Sequence, residues 1–374
     1  MMAKTINRHH EPLIRISKRD GMVWWKGWLV RAAAIVLALL VCAVLIVGIT
    51  GVNPLEFYAS MIKGSFGSAR KLWSAMQNTA MLLCIALAVT PAFKMKFWNT
   101  GAEGQVLIGA LASAACMIWW GNSMPGWLLL PVMALVCMAA GIVWSVIPAY
   151  CRAKWGTNET LFTLMMNYVA MQLVSYCITY WENPAGSNSV GVINPNTMGG
   201  WMPSILGQKY LFNILIVVAL MVLVYVYLSR SKQGYEIAVV GESQNTARYI
   251  GIDVKRVIVR TMVFTGAICG IAGMLLVAGT DHTISINTVD GRGFTAIMVS
   301  WLAKFNPIVM ALTSFLIVFL ERGASEIATA FRLNESVADI LTGIILFFII
   351  GSEFFVSYKV NFRRAHKEGR IKND

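Results

Sequence analysis

The sequence predicts an all-α polytopic membrane protein, and three observations carry that prediction. Of its 374 residues, 57% are hydrophobic and 13% are charged, whereas a soluble domain carries about a quarter charged residues. Several apolar runs reach the roughly 20 residues that a helix needs to cross a bilayer; the short alternating strands of a membrane barrel are not seen. The net charge of +13 sits mostly between apolar runs, as the positive-inside rule requires. Basic loops of this kind account for the charge, and no nucleic-acid partner is expected.

About ten spans are predicted, at 28–50, 74–93, 97–120, 126–148, 160–181, 210–229, 257–279, 292–303, 306–320 and 337–357. The run 28–50 is too long for the apolar region of a cleavable signal, about 7–15 residues, and reads as the first span. Spans 74–93 and 97–120 are separated only by Lys94-Met95-Lys96. Spans 292–303 and 306–320 are separated at Asn306-Pro307, because the residue before a proline is pushed out of the helical region. Lys and Arg concentrate in 1–27, 94–96, 151–159, 230–260 and 358–374, with Lys304 beside them. The alternate segments hold Lys63, Arg70, Lys71, Lys209, Arg322 and Arg332. That bias predicts both termini in the cytoplasm and an even number of crossings, counting the short 292–303 segment as one. The chain thus divides into a cytoplasmic tail 1–27, a transmembrane domain 28–357 and a basic cytoplasmic tail 358–374.

The longest outer loop, 182–209, is rich in turn formers: Asn183-Pro184, Asn194-Pro195, Gly199-Gly200 and Pro203. The longest inner loop is 230–256. The seven cysteines lie in or beside apolar runs without a CxxC pair, and the four histidines make no zinc pattern, so free thiols and no metal site are expected.

Three segments break the apolar pattern. In Phe97-Trp98-Asn99-Thr100-Gly101-Ala102-Glu103-Gly104-Gln105, glycines let the backbone open or approach a neighbour. Glu103 is costly in hydrocarbon and should face the bundle interior or water. The alternative is a helix cap at the interface, with Asn99 or Thr100 satisfying free N–H groups; a structural pairing of Glu103 with Lys94 or Lys96 is a further one. In Gly241–Ile252, residues 243–250 predict a short cytoplasmic helix, with Ser243 as N-cap and Gly251 after its end; it either docks a partner or rests on lipid headgroups. In Gly291–Pro307, small residues allow close helix packing. The glycine-bearing starts at Gly101–Gly104 and Gly291–Phe294 open spans of opposite direction. That is what an inverted repeat would leave, or what two unrelated helix starts would look like.

Together the three segments resemble permeases of the bacterial nucleoside and simple-sugar ABC importers, a branch of the branched-chain amino acid and ribose permease superfamily. The first resembles that branch's FNIGAEGQ signature, with Trp98 and Thr100 as substitutions. The second resembles its GxNPxAARYAGI segment, with Gln244 in place of proline. The third resembles its GxGFxxIAVALLGxxxP run, with Met298, Ser300, Trp301 and Lys304 as departures. The similarity extends over about residues 30–357, and the first motif points to the nucleoside-type branch.

The resemblance implies a multi-pass subunit of the bacterial inner membrane that forms the pathway for nucleosides. It implies a second permease chain, identical or homologous, a separate ATPase with two fused nucleotide-binding domains, and an extracytoplasmic substrate-binding protein. The chain has no GxxxxGK[ST] phosphate loop, so ATP and magnesium are expected on the ATPase, no cofactor on this chain, and no enzymatic activity of its own. Candidate pathway residues are Gln77, Asn78, Trp98, Asn99, Glu103, Gln105, Asn158 and Asn167. Asn167 has the alternative role of an interhelical hydrogen-bond staple. Amides and an aromatic face suit the hydroxyls and apolar face of a nucleoside or sugar. Candidate ATPase-coupling residues are Gly241, Glu242, Asn245, Ala247, Arg248 and Gly251. A monosaccharide or amino-acid permease of the same architecture is the alternative. An ion-coupled secondary transporter is a further one, which would need buried ionisable groups such as Glu103.

Overall fold

The computed structural model describes residues 14–19, 23–51 and 53–362; the tail segments 1–13 and 363–374 lie outside the described residues. The elements run β1 (Ile14–Lys18), α1 (Trp24–Thr50), α2 (Pro54–Phe66), α3 (Ala69–Lys94), α4 (Ala102–Trp120), α5 (Gly126–Trp155), α6 (Glu159–Trp181) and α7 (Leu211–Arg230). They continue with α8 (Lys232–Glu242), α9 (Gln244–Tyr249), α10 (Val254–Leu276), a π-helical turn (Val277–Asp281), α11 (Arg292–Leu302), α12 (Pro307–Ala330), α13 (Glu335–Ser357) and β2 (Tyr358–Phe362). Among the described residues, nine helices are long and apolar enough to cross a membrane.

The chain forms two compact units. The first comprises residues 1–60 with 327–374. In it β1 pairs antiparallel with β2, Ile14 opposite Phe362 and Lys18 opposite Tyr358. This short sheet was not anticipated from the sequence. It places the start of α1 and the end of α13 on one side, as the basic bias at both ends predicts. Arg31 of α1 pairs with Glu353 of α13 at 2.8 Å.

The second unit, residues 61–326, is organised around α10. Its glycines admit neighbouring backbones. A Cβ on Gly270 would lie 2.1 Å from the Cys137 carbonyl oxygen of α5, and one on Gly273 would lie 2.3 Å from the Ala110 nitrogen of α4. Small residues replace the hydrophobic drive that is absent between helices in lipid, by allowing close van der Waals approach. This unit also returns to its starting side. Lys71 at the start of α3 pairs with Glu326 near the end of α12 at 2.6 Å, and Arg322 donates to Ser74 Oγ at 2.8 Å.

The short predicted span 292–303 is the 11-residue helix α11, about 16 Å long at 1.5 Å per residue. That is roughly half of a hydrocarbon core. It still serves as a return limb. Its first residue, Arg292, donates to Asn78 of α3 at 3.3 Å, while Ser300, near its end, is 2.9 Å from Thr90. It therefore descends beside α3, and α12 ascends from the same level, where Met310 meets Thr90 at 3.5 Å. Further boundaries differ from the sequence reading: α3 starts at Ala69 rather than 74, α5 runs to Trp155 rather than 148, and α12 runs to Ala330 rather than 320. The break after α3 covers residues 95–101 rather than 94–96, and the inner loop 230–256 holds an additional helix, α8.

Candidate functional site

The site is the joint where α4 and α11 begin side by side within the bundle. Pro91 lies in the last turn of α3, and the chain leaves that helix through Lys96 in the left-handed region at φ 60°. Asn99 then shapes the turn. Its Oδ1 accepts from the Gly101 N–H at 3.0 Å and from Gln105 Nε2 at 3.2 Å, while its Nδ2 donates to Gln105 Oε1 at 3.3 Å. An asparagine that bonds the backbone two residues on is a ready alternative to helix. Here it starts α4 seven residues after α3 has ended.

α6 receives this turn. Thr100 Oγ1 donates to the Thr160 carbonyl at 3.0 Å, and the Thr100 N–H donates to Thr163 Oγ1 at 3.2 Å. Asn167 Nδ2 donates to the Thr100 carbonyl at 2.9 Å, and its Oδ1 accepts the Gly104 N–H at 2.9 Å. Gly104 is required here, because a Cβ would lie 2.9 Å from Asn167 Cα. Asn167 is eight residues into α6, so the joint sits about 12 Å along that helix from its inner end.

Glu103 joins the two helix starts. Its Oε1 accepts the Gly291 N–H at 2.8 Å, and its Oε2 accepts the Gly293 N–H at 2.7 Å. These N–H groups stand at the start of α11, where no intrahelical acceptor exists. Gly291 takes φ 71°. A Cβ on Gly293 would lie 2.6 Å from the Glu103 nitrogen. The partner of Glu103 is thus the α11 N-terminus, and not Lys94 or Lys96 as one sequence reading allowed. The two glycine-bearing starts that suggested a repeat touch each other through this carboxylate.

Below the joint lies an aromatic cluster. Trp98 stacks on Trp301 of α11 with centroids 5.5 Å apart, and Phe93 meets both rings edge-on. Both indoles keep nearly half of their surface exposed, 48% and 43%. Trp301 was not singled out as a site residue from sequence. Its departure from the third motif was the signal available, since Trp98 departs from the first motif at the position that meets it.

The remaining candidates are placed apart. Gln77 is buried and donates to Thr280 at 2.7 Å, with its Oε1 unpartnered. Asn158 is exposed and caps α6, accepting from the Leu161 N–H at 3.2 Å. Of the coupling candidates, Glu242, Asn245 and Arg248 are exposed, while Gly241 and Ala247 are buried. A Cβ on Gly241 would lie 2.1 Å from the Lys94 carbonyl oxygen, so α8 rests on the last residue of α3. Ser243 Oγ accepts from the Thr246 N–H at 3.3 Å, and Gly251 follows at φ 84°, as the sequence predicts for this short helix. Tyr249 at its tip is 91% exposed. All seven cysteines are free thiols.

A polar, glycine-jointed break inside a bundle of long apolar spans is tolerated where it is buried in protein or lines a water-filled cavity, which fits a membrane transport protein. The chain belongs to the family described as branched-chain amino acid transport system / permease component, whose profile matches residues 73–350. It is similar to a glucose ABC transporter permease of Haloferax volcanii, 28% identical with 93% of each chain covered. It is also similar to a guanosine ABC transporter permease of Bacillus subtilis, 28% identical over 87% of this chain and 93% of the relative. A nucleoside ABC transporter permease of Lactococcus lactis is 27% identical over 86% and 90%.

Proposed function

We propose that this chain is the permease subunit of an ABC importer in a bacterial inner membrane and forms the pathway through which a nucleoside crosses. The observation that carries this reading is the α4–α11 joint. It is polar backbone inside the bundle beside an exposed aromatic pair, and irregular backbone at that depth is tolerated where it is buried in protein or lines a water-filled cavity. The Trp98–Trp301 wall suits the flat face of a base, and the unpartnered Gln77 Oε1 suits a hydroxyl. The Haloferax volcanii relative is a glucose ABC transporter permease, so a sugar is the second reading.

A separate ATPase with two fused nucleotide-binding domains docks on the end of α8 and the exposed face of α9, through Glu242 and through Asn245, Arg248 and Tyr249. ATP and magnesium belong to that subunit. Gly241 transmits the push, because it presses on Lys94, from which the chain continues into the joint. A second permease chain, identical or homologous, covers α6. The open face of that span carries the exposed Met165, Tyr168, Leu173 and Tyr176, an apolar and aromatic surface of the kind enriched at protein interfaces. A substrate-binding protein delivers solute to the outer loops.

Uptake of radiolabelled nucleosides is to be measured in cells with and without the chain, the ATPase and binding protein being present, with glucose, ribose and leucine as competitors. Loss of nucleoside uptake without the chain, insensitive to the competitors, is the expected result. Chain-dependent uptake of a sugar alone would replace the substrate. Gly241→Val should leave the chain inserted but lower uptake at least tenfold relative to ATP hydrolysis, and unchanged coupling would remove the α8 relay.

A further inference from the structure

α4 and α6 frame the joint near one end and a pocket at the other. The pocket lies between the last turn of α4, the last residue of α6 and the loop 182–209, and has a volume of about 410 Å³. Small-molecule sites run from about 300 to 1,000 Å³. Trp181 of α6 forms one wall, with Trp119 edge-on to it at 5.9 Å. It stands 14 residues beyond Asn167, about 21 Å along the helix, so the pocket is separate from the joint. Its loop wall is bonded in place. Asn194 Nδ2 donates to the Met117 carbonyl of α4 at 2.7 Å and to the Gly199 carbonyl at 3.0 Å. Thr197 Oγ1 donates to Asn122 Oδ1 at 2.7 Å, and the Ile193 N–H donates to the His282 carbonyl at 2.8 Å. A wall held in this way has little left to order when a ligand arrives, which favours binding.

None of the lining residues is charged, and four of them are asparagines: Asn122, Asn183, Asn194 and Asn196. Asn194 and the Asn122 oxygen are engaged in the wall, whereas Asn183 and Asn196 are exposed. A carboxamide offers donors and an acceptor in one plane, which matches two neighbouring hydroxyls. An indole beside them offers a large apolar face to the C–H side of a ring. A carboxylate or phosphate finds no cation in this lining. We propose that the pocket is an outer receiving site for a neutral polyhydroxylated ring, either a free sugar or the ribose of a nucleoside. Trp181 packs on the ring, and the Asn183 and Asn196 amides hold its hydroxyls. The existence of the site follows from its own walls. Its role as the first stop of the transported solute rests on the pathway function proposed above.

Val192, which is 53% exposed in the lining, serves as reporter. Val192→Cys in the full-length chain in lipid nanodiscs is labelled with an impermeant maleimide, wild type giving the background. Glucose, ribose and guanosine are the probes; leucine and glutamate are the controls. Each probe should slow labelling saturably and at least fivefold, and the controls should not. Adding Trp181→Ala or Asn196→Ala should raise the half-protecting concentration at least tenfold. Asn196 is exposed, so its variant decides alone if Trp181→Ala does not assemble. No protection by any probe, or protection that the Asn196 variant leaves unchanged, would overturn the site. Protection by guanosine without ribose or glucose would put the base in the pocket and overturn the ring assignment. In cells, Trp181→Ala and Asn196→Ala should lower uptake at least fivefold at limiting solute and leave it unchanged at saturating solute. Unchanged uptake at limiting solute would overturn the receiving role. Absence of chain-dependent uptake in wild type would instead overturn the pathway reading, and labelling would still decide whether the pocket binds a ring.

Discussion

α1 and α10 both span, yet they are built on opposite rules. α1 is the most hydrophobic of the nine candidate spans, and 22% of its apolar window is buried; α10 is less hydrophobic, and 78% of its window is buried. In water this order would be inverted, because burial there follows hydrophobicity. In lipid, hydrophobicity marks the surface that faces acyl chains, while protein contact is marked by small residues that bring backbones together. The glycines tell the two apart. Gly48 of α1 has nothing within 4 Å of a Cβ position, whereas Gly266 and Gly270 of α10 meet the Gly141 and Cys137 carbonyls.

The comparison is most directly broken by exchanging side chains at those positions. Gly270→Leu should cost about 3 kcal/mol or more, since overpacking costs about 1–3 kcal/mol even where side chains can shift and here the obstacle is backbone. Loss of monodisperse protein, or a large fall in unfolding temperature in nanodiscs, is the expected result. Gly48→Leu should stay within about 0.5 kcal/mol, as surface changes do. Equal effects would remove the distinction between the two helices.

A second test concerns α6, which matches the buried spans in hydrophobicity but not in burial. Asn167→Ala leaves the Gly104 N–H and the Thr100 carbonyl without their partner, at a cost of about 1–3 kcal/mol. It should lower the unfolding temperature and also uptake, because the joint loses its support. A variant as stable as wild type would mean that α6 does not hold the joint.

The smallest expected effect lies just beyond the outer end of α10. His282 stacks on Trp201 with centroids 3.7 Å apart; burial, and then the charge of Lys209, hold its pKa below the usual imidazole value. A neutral folded histidine binds fewer protons than the unfolded one once pH falls below about 6.5, so stability drops through that value. Unfolding temperatures at pH 7.5 and 5.5 should differ less in His282→Phe, which keeps the stack and removes the titration. An unchanged pH dependence would exclude His282 as its source.

Much of the architecture was legible because lipid imposes length and hydrophobicity on every full crossing. The ends of α6, α7 and α13 fall close to the predicted ones for that reason. The helix at 244–249 was legible too, since Ser243 and Gly251 are local signals. The break after α3 was underestimated because its length depends on Asn99 pairing with Gln105 and on Thr163 and Asn167, contacts made across sequence. β1 and β2 escaped notice because neither strand is stable without the other. The sequence by itself determined the apolar spans and the family signature, both of which follow from local composition and spacing. Tertiary structure decided that Glu103 serves the α11 N-terminus, that Trp98 and Trp301 form one wall, and that the half-length α11 runs beside α3. Each of those depends on which distant backbone lies within hydrogen-bond or van der Waals reach, and no single segment carries that information.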